Sequence, residues 1–232
     1  MNKPATVFLT CIALFFGIRS QVAAQGFGHF SVGPVIGNFS KLERDLQQFS
    51  MFGQDFYLPA SGISVGGGGF AVMDNGIMIG GNGLGAFFGS DGNANGQASL
   101  TTGGGFFNLG YPMHRDGGWL LYPYAGFGYT GTTLELSNTG RRPVSLSVSH
   151  SLHAGETEKY TTGGISLEGG VGLKKLMMRQ NSKGGFLFGI DLGTYGLPVL
   201  QGWEHDGEKI TSLTSTRAQA FYIKLSFGGG FF

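Results

Sequence analysis

The closing stretch TRAQAFYIKLSFGGGFF, Thr216 to Phe232, decides the fold. From Phe221 onward every second residue is apolar: Phe221, Ile223, Leu225, Phe227. Between them lie Ala220, Tyr222, Lys224 and Ser226. Period 2 means a strand with one oily face and one mixed face. Lys224 in the middle of the run argues against burial on both faces. Phe231 and Phe232 close the chain as given, and aromatic rings of this kind suit a lipid–water boundary. Phe231 keeps the outward phase and Phe232 falls one step beyond it. A bulge in Gly228-Gly229-Gly230 is the expected way to absorb that slip.

Working outward, the other end reads as a cleavable export signal, residues 1–24. Lys3 supplies the positive region, Val7 to Gly17 the apolar core, and Val22-Ala23-Ala24 the cleavage site. The apolar core is short for a membrane span. Cleavage leaves residues 25–232 as one domain and removes Cys11, the only cysteine. No disulfide or thiolate chemistry is then expected. It also removes Lys3 and Arg19, which leaves 13 basic against 14 acidic residues, a net charge of −1. That balance, without a basic block, points away from nucleic acid.

The composition holds 45 glycines and 21 phenylalanines in 232 residues. The glycines lack a period of three, which excludes collagen, and the aromatic content argues against disorder. No apolar run outside the signal is long enough for a membrane helix. A chain of this kind enters lipid only as a closed barrel, because a barrel satisfies its own backbone hydrogen bonds.

Eight strands are predicted: about 26–38, 62–73, 77–88, 98–111, 119–136, 160–176, 185–199 and the closing strand. The connections alternate long and short. Asp74-Asn75-Gly76 is a tight hairpin turn, and PMHRDGG and MRQNSKGG are the other short ones. The first long connection carries Ser40 and Glu43 in a capping-box spacing. Leu42, Leu46 and Phe49 lie on one helical face. That predicts a short helix, which either covers the barrel mouth or lies on the membrane surface. VSLSVSHSL, Val144 to Leu152, alternates within the third long connection. A ninth strand there would put the termini on opposite sides, so a projecting hairpin arm is expected.

The pattern resembles that of small bacterial outer-membrane β-barrels, the porin-like, outer-membrane-protein-A and X-type superfamily. The resemblance implies a closed eight-stranded antiparallel up-and-down transmembrane β-barrel with a short helix in the first external loop. It implies short periplasmic turns, long external loops and residence in the outer membrane of a Gram-negative bacterium. It also implies that Phe221, Ile223, Leu225, Phe227, Phe231 and Phe232 are read by the barrel-assembly machinery.

The strand phases place Glu168, Lys174, Asp191 and Lys224 on the inner face. A charge at the lipid midplane costs about 2–4 kcal/mol. Inside, the four charges can pair, and Asp191 is expected to pair with Lys224. An eight-stranded barrel is just wide enough for side chains to fill, and inward glycines make room for the large polar groups. A packed, salt-bridged lumen is the expectation.

GGNGLGA contains G-x-G-x-x-A, but no helix pattern follows, so a dinucleotide site is not read there. No cofactor is expected. His150, His153 and the Glu204-His205-Asp206 group carry metal-ligand types without a zinc spacing, so solvated loop tips are the reading. Some eight-stranded barrels, as the resemblance implies, are lipid A enzymes, and Ser149, His150, Ser151 and Glu156 offer the residue types. Neighbours on a strand point to opposite faces, however, and neither enzyme's motif is present. Arg141 and Arg142 suit lipopolysaccharide phosphate or a surface partner. With His150, His153 and His205 they are the external interaction candidates. The function expected is a non-enzymatic envelope protein, in contact with bilayer and lipopolysaccharide, that displays loops. The alternatives are a lipid A-modifying enzyme and a narrow conduit for an apolar solute.

Overall fold

A computed structural model describes residues 25–92, 95–147, 150–178, 184–196, 202–210, 213 and 219–231. The export signal, Ser149 and Phe232 lie outside the described residues. So do most of the MRQNSKGG turn and the expected end of the seventh strand. Eight long strands form the wall: β1 (Gln25–Gly37), β2 (Ser61–Val72), β3 (Met78–Gly92), β4 (Gly96–Gly110), β5 (Trp119–Asn138), β6 (Thr157–Met178), β7 (Gly185–Gly196) and β8 (Gln219–Phe231). Each pairs antiparallel with the next, and β8 pairs with β1, which closes the barrel. One helix, α1 (Ser40–Gln47), sits in the first long connection.

At the turn end, Gly76 takes a positive φ of 82°, and Ile77 N donates to Asn75 Oδ1 at 3.0 Å. PMHRDGG is more than a turn. His114–Asp116 pairs back onto the start of β5, closed by Gly117 and Gly118 at φ 54° and 79°. Two successive positive φ values match the twist of a hairpin, and glycine adopts them without strain.

The closing strand carries no bulge. Its register with β1 runs unbroken from Phe231↔Gly26 to Leu225↔Val32. Gly228 and Gly230 answer a packing need instead: a Cβ on inward-facing Gly228 would run into the Gly28 carbonyl, and one on Gly230 into the Gly26 carbonyl. The ladder skips Gly33 and Pro34 before resuming at Val35↔Tyr222. Proline has no N–H to give a ladder.

The outer face is apolar. Phe127, Ile36 and Phe221 are each at least 60% exposed. On β5 the apolar run goes from Trp119 to Tyr129, then yields to Gly131, Thr133, Glu135 and Ser137. At about 3.3 Å per residue and about 45° of tilt, that run is roughly 25 Å tall. This matches the apolar band of a barrel in lipid, with an aromatic residue at each border. β5 and β6 continue past the band, so the β5–β6 hairpin stands above it.

The inside is layered. At the turn end Phe27, Phe70, Met78, Leu120, Tyr122, Tyr124, Leu176 and Leu187 pack together. At the loop end Leu84, Phe88, Leu100, Leu134 and Leu136 of the wall meet Phe39, Leu42, Leu46, Phe49, Phe52 and Leu58 of the first connection. Leu42 and Leu46 are fully buried, each worth about 1.5–3 kcal/mol. The helix therefore plugs the mouth rather than lying on a membrane surface.

The expected capping box does not form. Phe39 is the N-cap and makes no side-chain cap bond. Glu43 instead accepts the Leu58 N–H at 3.0 Å and ties the end of the connection to the helix.

Candidate functional site: the lumen and its loop-end cap

Between the two apolar layers lies a polar belt built from four charges and their partners. Glu168 on β6, Asp191 on β7 and Lys224 on β8 are each at most 5% exposed, and Lys174 on β6 is fully buried. All four sit inside because the outward positions of their strands carry the apolar residues. Glu168 accepts from Asn82 Nδ2 at 2.9 Å, Asn108 Nδ2 at 2.9 Å and the Tyr222 hydroxyl at 2.6 Å. Tyr222 in turn meets the Tyr124 hydroxyl at 2.8 Å. One carboxylate thus ties together β3, β4, β6 and β8, and through Tyr124 also β5.

Asp191 pairs with Lys174, at 2.5 Å, and accepts the Ser226 hydroxyl. The expected Asp191–Lys224 ion pair is absent. Lys224 is backbone-paired with Asp191, but directly opposite positions hold their Cβ atoms only about 5 Å apart. That spacing is short for an extended lysine. Lys174 lies on the diagonal, opposite Gly189, and its stem crosses the space a side chain at Gly189 would fill. Lys224 bends instead over the Tyr222 ring, with Nζ 4.0 Å from the centroid, a cation–π contact. Its Nζ has no hydrogen-bond partner among the described residues.

The belt is built from large groups facing glycines. Tyr122 stands opposite Gly172, Tyr124 opposite Gly170, Tyr222 opposite Gly193, and Asn108 opposite Gly126. A Cβ at any of these glycines would overlap its large neighbour. What remains at the centre is a cavity of about 10 Å³, bordered by His29, Asn82, Asn108 and Lys224, room for about one water.

At the loop end the connections fold into a cap. The VSLSVSHSL arm does not project freely. It is a two-stranded hairpin, Val144–Ser147 with His150–Leu152. Val144 and Leu152 are buried against the plug. Asn138, at the tip of β5, donates to the carbonyls of Arg142 and Leu152, both at 2.9 Å. The last connection forms a second hairpin, Trp203–His205 with Glu208–Ile210, turned at Asp206 and Gly207 with φ 51° and 84°. It joins the wall at Glu204↔Thr161, and Trp203 is buried.

The structure disperses the surface candidates. Arg141 and Arg142 lie exposed on the turn after β5. His153 is exposed, and its N–H donates to Glu156 at 2.8 Å. His205 Nδ1 stands 3.0 Å from the Lys159 carbonyl oxygen, with its ring 5.1 Å from Tyr160. His150 lies in the first hairpin, beside Ser151 on the same strand. Among the described residues no three His, Asp or Glu side chains converge as metal ligands. On the closing strand Phe221, Ile223, Leu225, Phe227 and Phe231 all face outward.

No family model and no curated protein matches this chain. Among solved structures it is similar to Ail, the attachment invasion locus protein of Yersinia pestis. Identity is 10% and TM-score 0.50, over 89% of this chain and 99% of that one. Neisserial surface protein A matches at 8% identity and TM-score 0.41, over 89% and 97% of the two chains. OprG of Pseudomonas aeruginosa matches at 10% and 0.37, over 89% and 95%. The similarity shows the fold of the small outer-membrane barrels.

Proposed function

We propose that this chain is an integral outer-membrane protein of a Gram-negative bacterium that carries no solute through its lumen and acts through its folded cap at the cell surface. The observation that carries the reading is the filled interior: a caged polar belt closed by an apolar layer on each side. A conduit needs a continuous path, and each layer here would have to unpack to make one. The cap is the counterpart of the filled lumen. Two short hairpins and a helix are held by buried apolar side chains, so the surface presented is preorganised, and preorganisation lowers the entropy cost of binding a partner. Residues 1–24 direct export, and the outward Phe221-to-Phe231 face is what the barrel-assembly machinery reads. The band of the barrel contacts bilayer and lipopolysaccharide.

The test is electrical. Residues 25–232, refolded and inserted into planar lipid bilayers, should give no discrete conductance steps in molar salt. Reproducible steps of uniform size would overturn the filled-lumen reading.

A further inference from the structure

We infer that the cap holds a phosphate-binding hollow at Arg141 and Arg142. The inference rests on the surface reading above and adds the ligand class. Three connections meet there. Ser50 and Met51 come from the first long connection, Asn95 from the second, and residues 139–144, with Asn138 at the end of β5, from the third, around a hollow of about 560 Å³. That is the size range of sites for small molecules.

The turn carrying the arginines is fixed at several points. Thr139 N and Gly140 N donate to the Asn95 carbonyl at 3.1 and 3.0 Å. Gly140 N also donates to Asn138 Oδ1 at 3.0 Å, and Asn138 Nδ2 holds the Arg142 carbonyl at 2.9 Å. The backbone under both guanidinium groups is therefore set before any ligand arrives.

Among the described residues no ion pair compensates the charge there: neither arginine has a carboxylate partner. Three acids of the β5–β6 hairpin that carries the turn are engaged elsewhere: Glu135 with Lys159 at 3.3 Å, Glu156 with the His153 N–H at 2.8 Å, and Glu158 with the Tyr160 hydroxyl at 2.5 Å. Two arginines lining one hollow with hydroxyl and amide side chains match a phosphoryl group, whose oxygens accept paired N–H bonds. Lysine would supply charge without the fork.

Height narrows the source. The turn begins after Asn138, about nine residues beyond Tyr129 on β5, or roughly 20 Å above the apolar band at ordinary rise and tilt. A phosphate at the acyl-chain boundary lies below it. The phosphoryl group belongs to a saccharide standing off the bilayer, either the core of an outer-leaflet glycolipid or a dissolved sugar phosphate.

The experiment uses the refolded barrel in nanodiscs and reads backbone amide shifts of residues 139–142 and 144. In phospholipid-only discs, sodium pyrophosphate should produce a saturable shift. The Arg141→Gln, Arg142→Gln double variant should bind about tenfold more weakly or worse, with the paired Arg→Lys variant in between. Both variants should keep the heat-dependent gel shift of a folded barrel. In discs carrying a glycolipid with a phosphorylated core, the same shifts present without pyrophosphate, and lost in the double Gln variant, assign the site to the glycolipid. Shifts that need added pyrophosphate in both kinds of disc assign it to a dissolved ligand. Equal binding by wild type and the double Gln variant, or a linear response without saturation, overturns the site. Such a failure would leave the conductance result of the filled lumen untouched, so the two readings fail separately.

Discussion

Replacing Asp191 by Asn should strand Lys174 inside the barrel. Their N···O distance is 2.5 Å, and the lysine is fully buried. At an effective dielectric near 20 the gross attraction is about 7 kcal/mol. Desolvation of the two ions offsets most of it, so the intact pair adds little net stability. Asn keeps an acceptor for Lys174 and Ser226 but removes the counter-charge, and the ammonium stays desolvated. The expected loss is about 3 kcal/mol, the low end for breaking a buried pair. Lys174→Met combined with Asp191→Asn removes the orphaned charge and should recover at least half of that loss. The assay is urea unfolding in lipid vesicles, followed by the fluorescence of Trp119 and Trp203. A double variant no more stable than Asp191→Asn would refute the reasoning. So would a single variant within about 0.5 kcal/mol of wild type, the scale of ordinary surface changes.

Further expectations test the wall, the lumen and the plug separately. Leu225→Lys puts a charge on the lipid face near mid-strand and should cost about 2–4 kcal/mol in the same unfolding assay, while the native Lys224 beside it is tolerated because it faces inward. Gly189→Val sets a branched side chain where the Lys174 stem crosses, and the folded, heat-sensitive gel band should be largely lost on refolding. Leu46→Ala opens a cavity in the plug and should cost about 2–5 kcal/mol; limited proteolysis should then cut the first connection while β1 to β8 stay protected. Uncut caps in that variant would mean that the plug does not hold the mouth.

The wall was legible because period 2 leaves little choice. In Phe221 to Phe227 and Phe186 to Leu192 the oily phase is unbroken, so Lys224 and Asp191 could only point inward. The glycines opposite Tyr122, Tyr124 and Tyr222 follow from the same constraint, since a narrow barrel cannot hold two large groups at one level. Pairing within the belt was not legible. Asp191 has Lys224 directly across and Lys174 on the diagonal, and only side-chain reach, with the room left by Gly189, selects between them. The glycine run before Phe231 looks the same in a sequence whether it serves a bulge or close strand packing. The cap was read least well. Nine alternating residues from Val144 to Leu152 fit one strand or a folded hairpin equally, and the locking of Thr139 and Gly140 onto Asn95 uses backbone atoms that carry no sequence pattern. Ser40 and Glu43 have the spacing of a capping box, yet Glu43 found a partner in the Leu58 N–H instead.

Closure of β8 onto β1 is the claim on which the filled lumen, the lipid-facing band and the cap all depend. Phe30 and Phe227 are paired across that seam, both outward. Directly paired residues have Cα atoms about 4.5–5.5 Å apart, within disulfide reach. In residues 25–232, which contain no cysteine of their own, Phe30→Cys with Phe227→Cys should form an intramolecular disulfide after refolding in micelles. That would leave a single monomeric band whose unfolded form migrates faster than its reduced counterpart. Two free thiols after mild oxidation, or cross-linking only between molecules, would contradict a closed barrel.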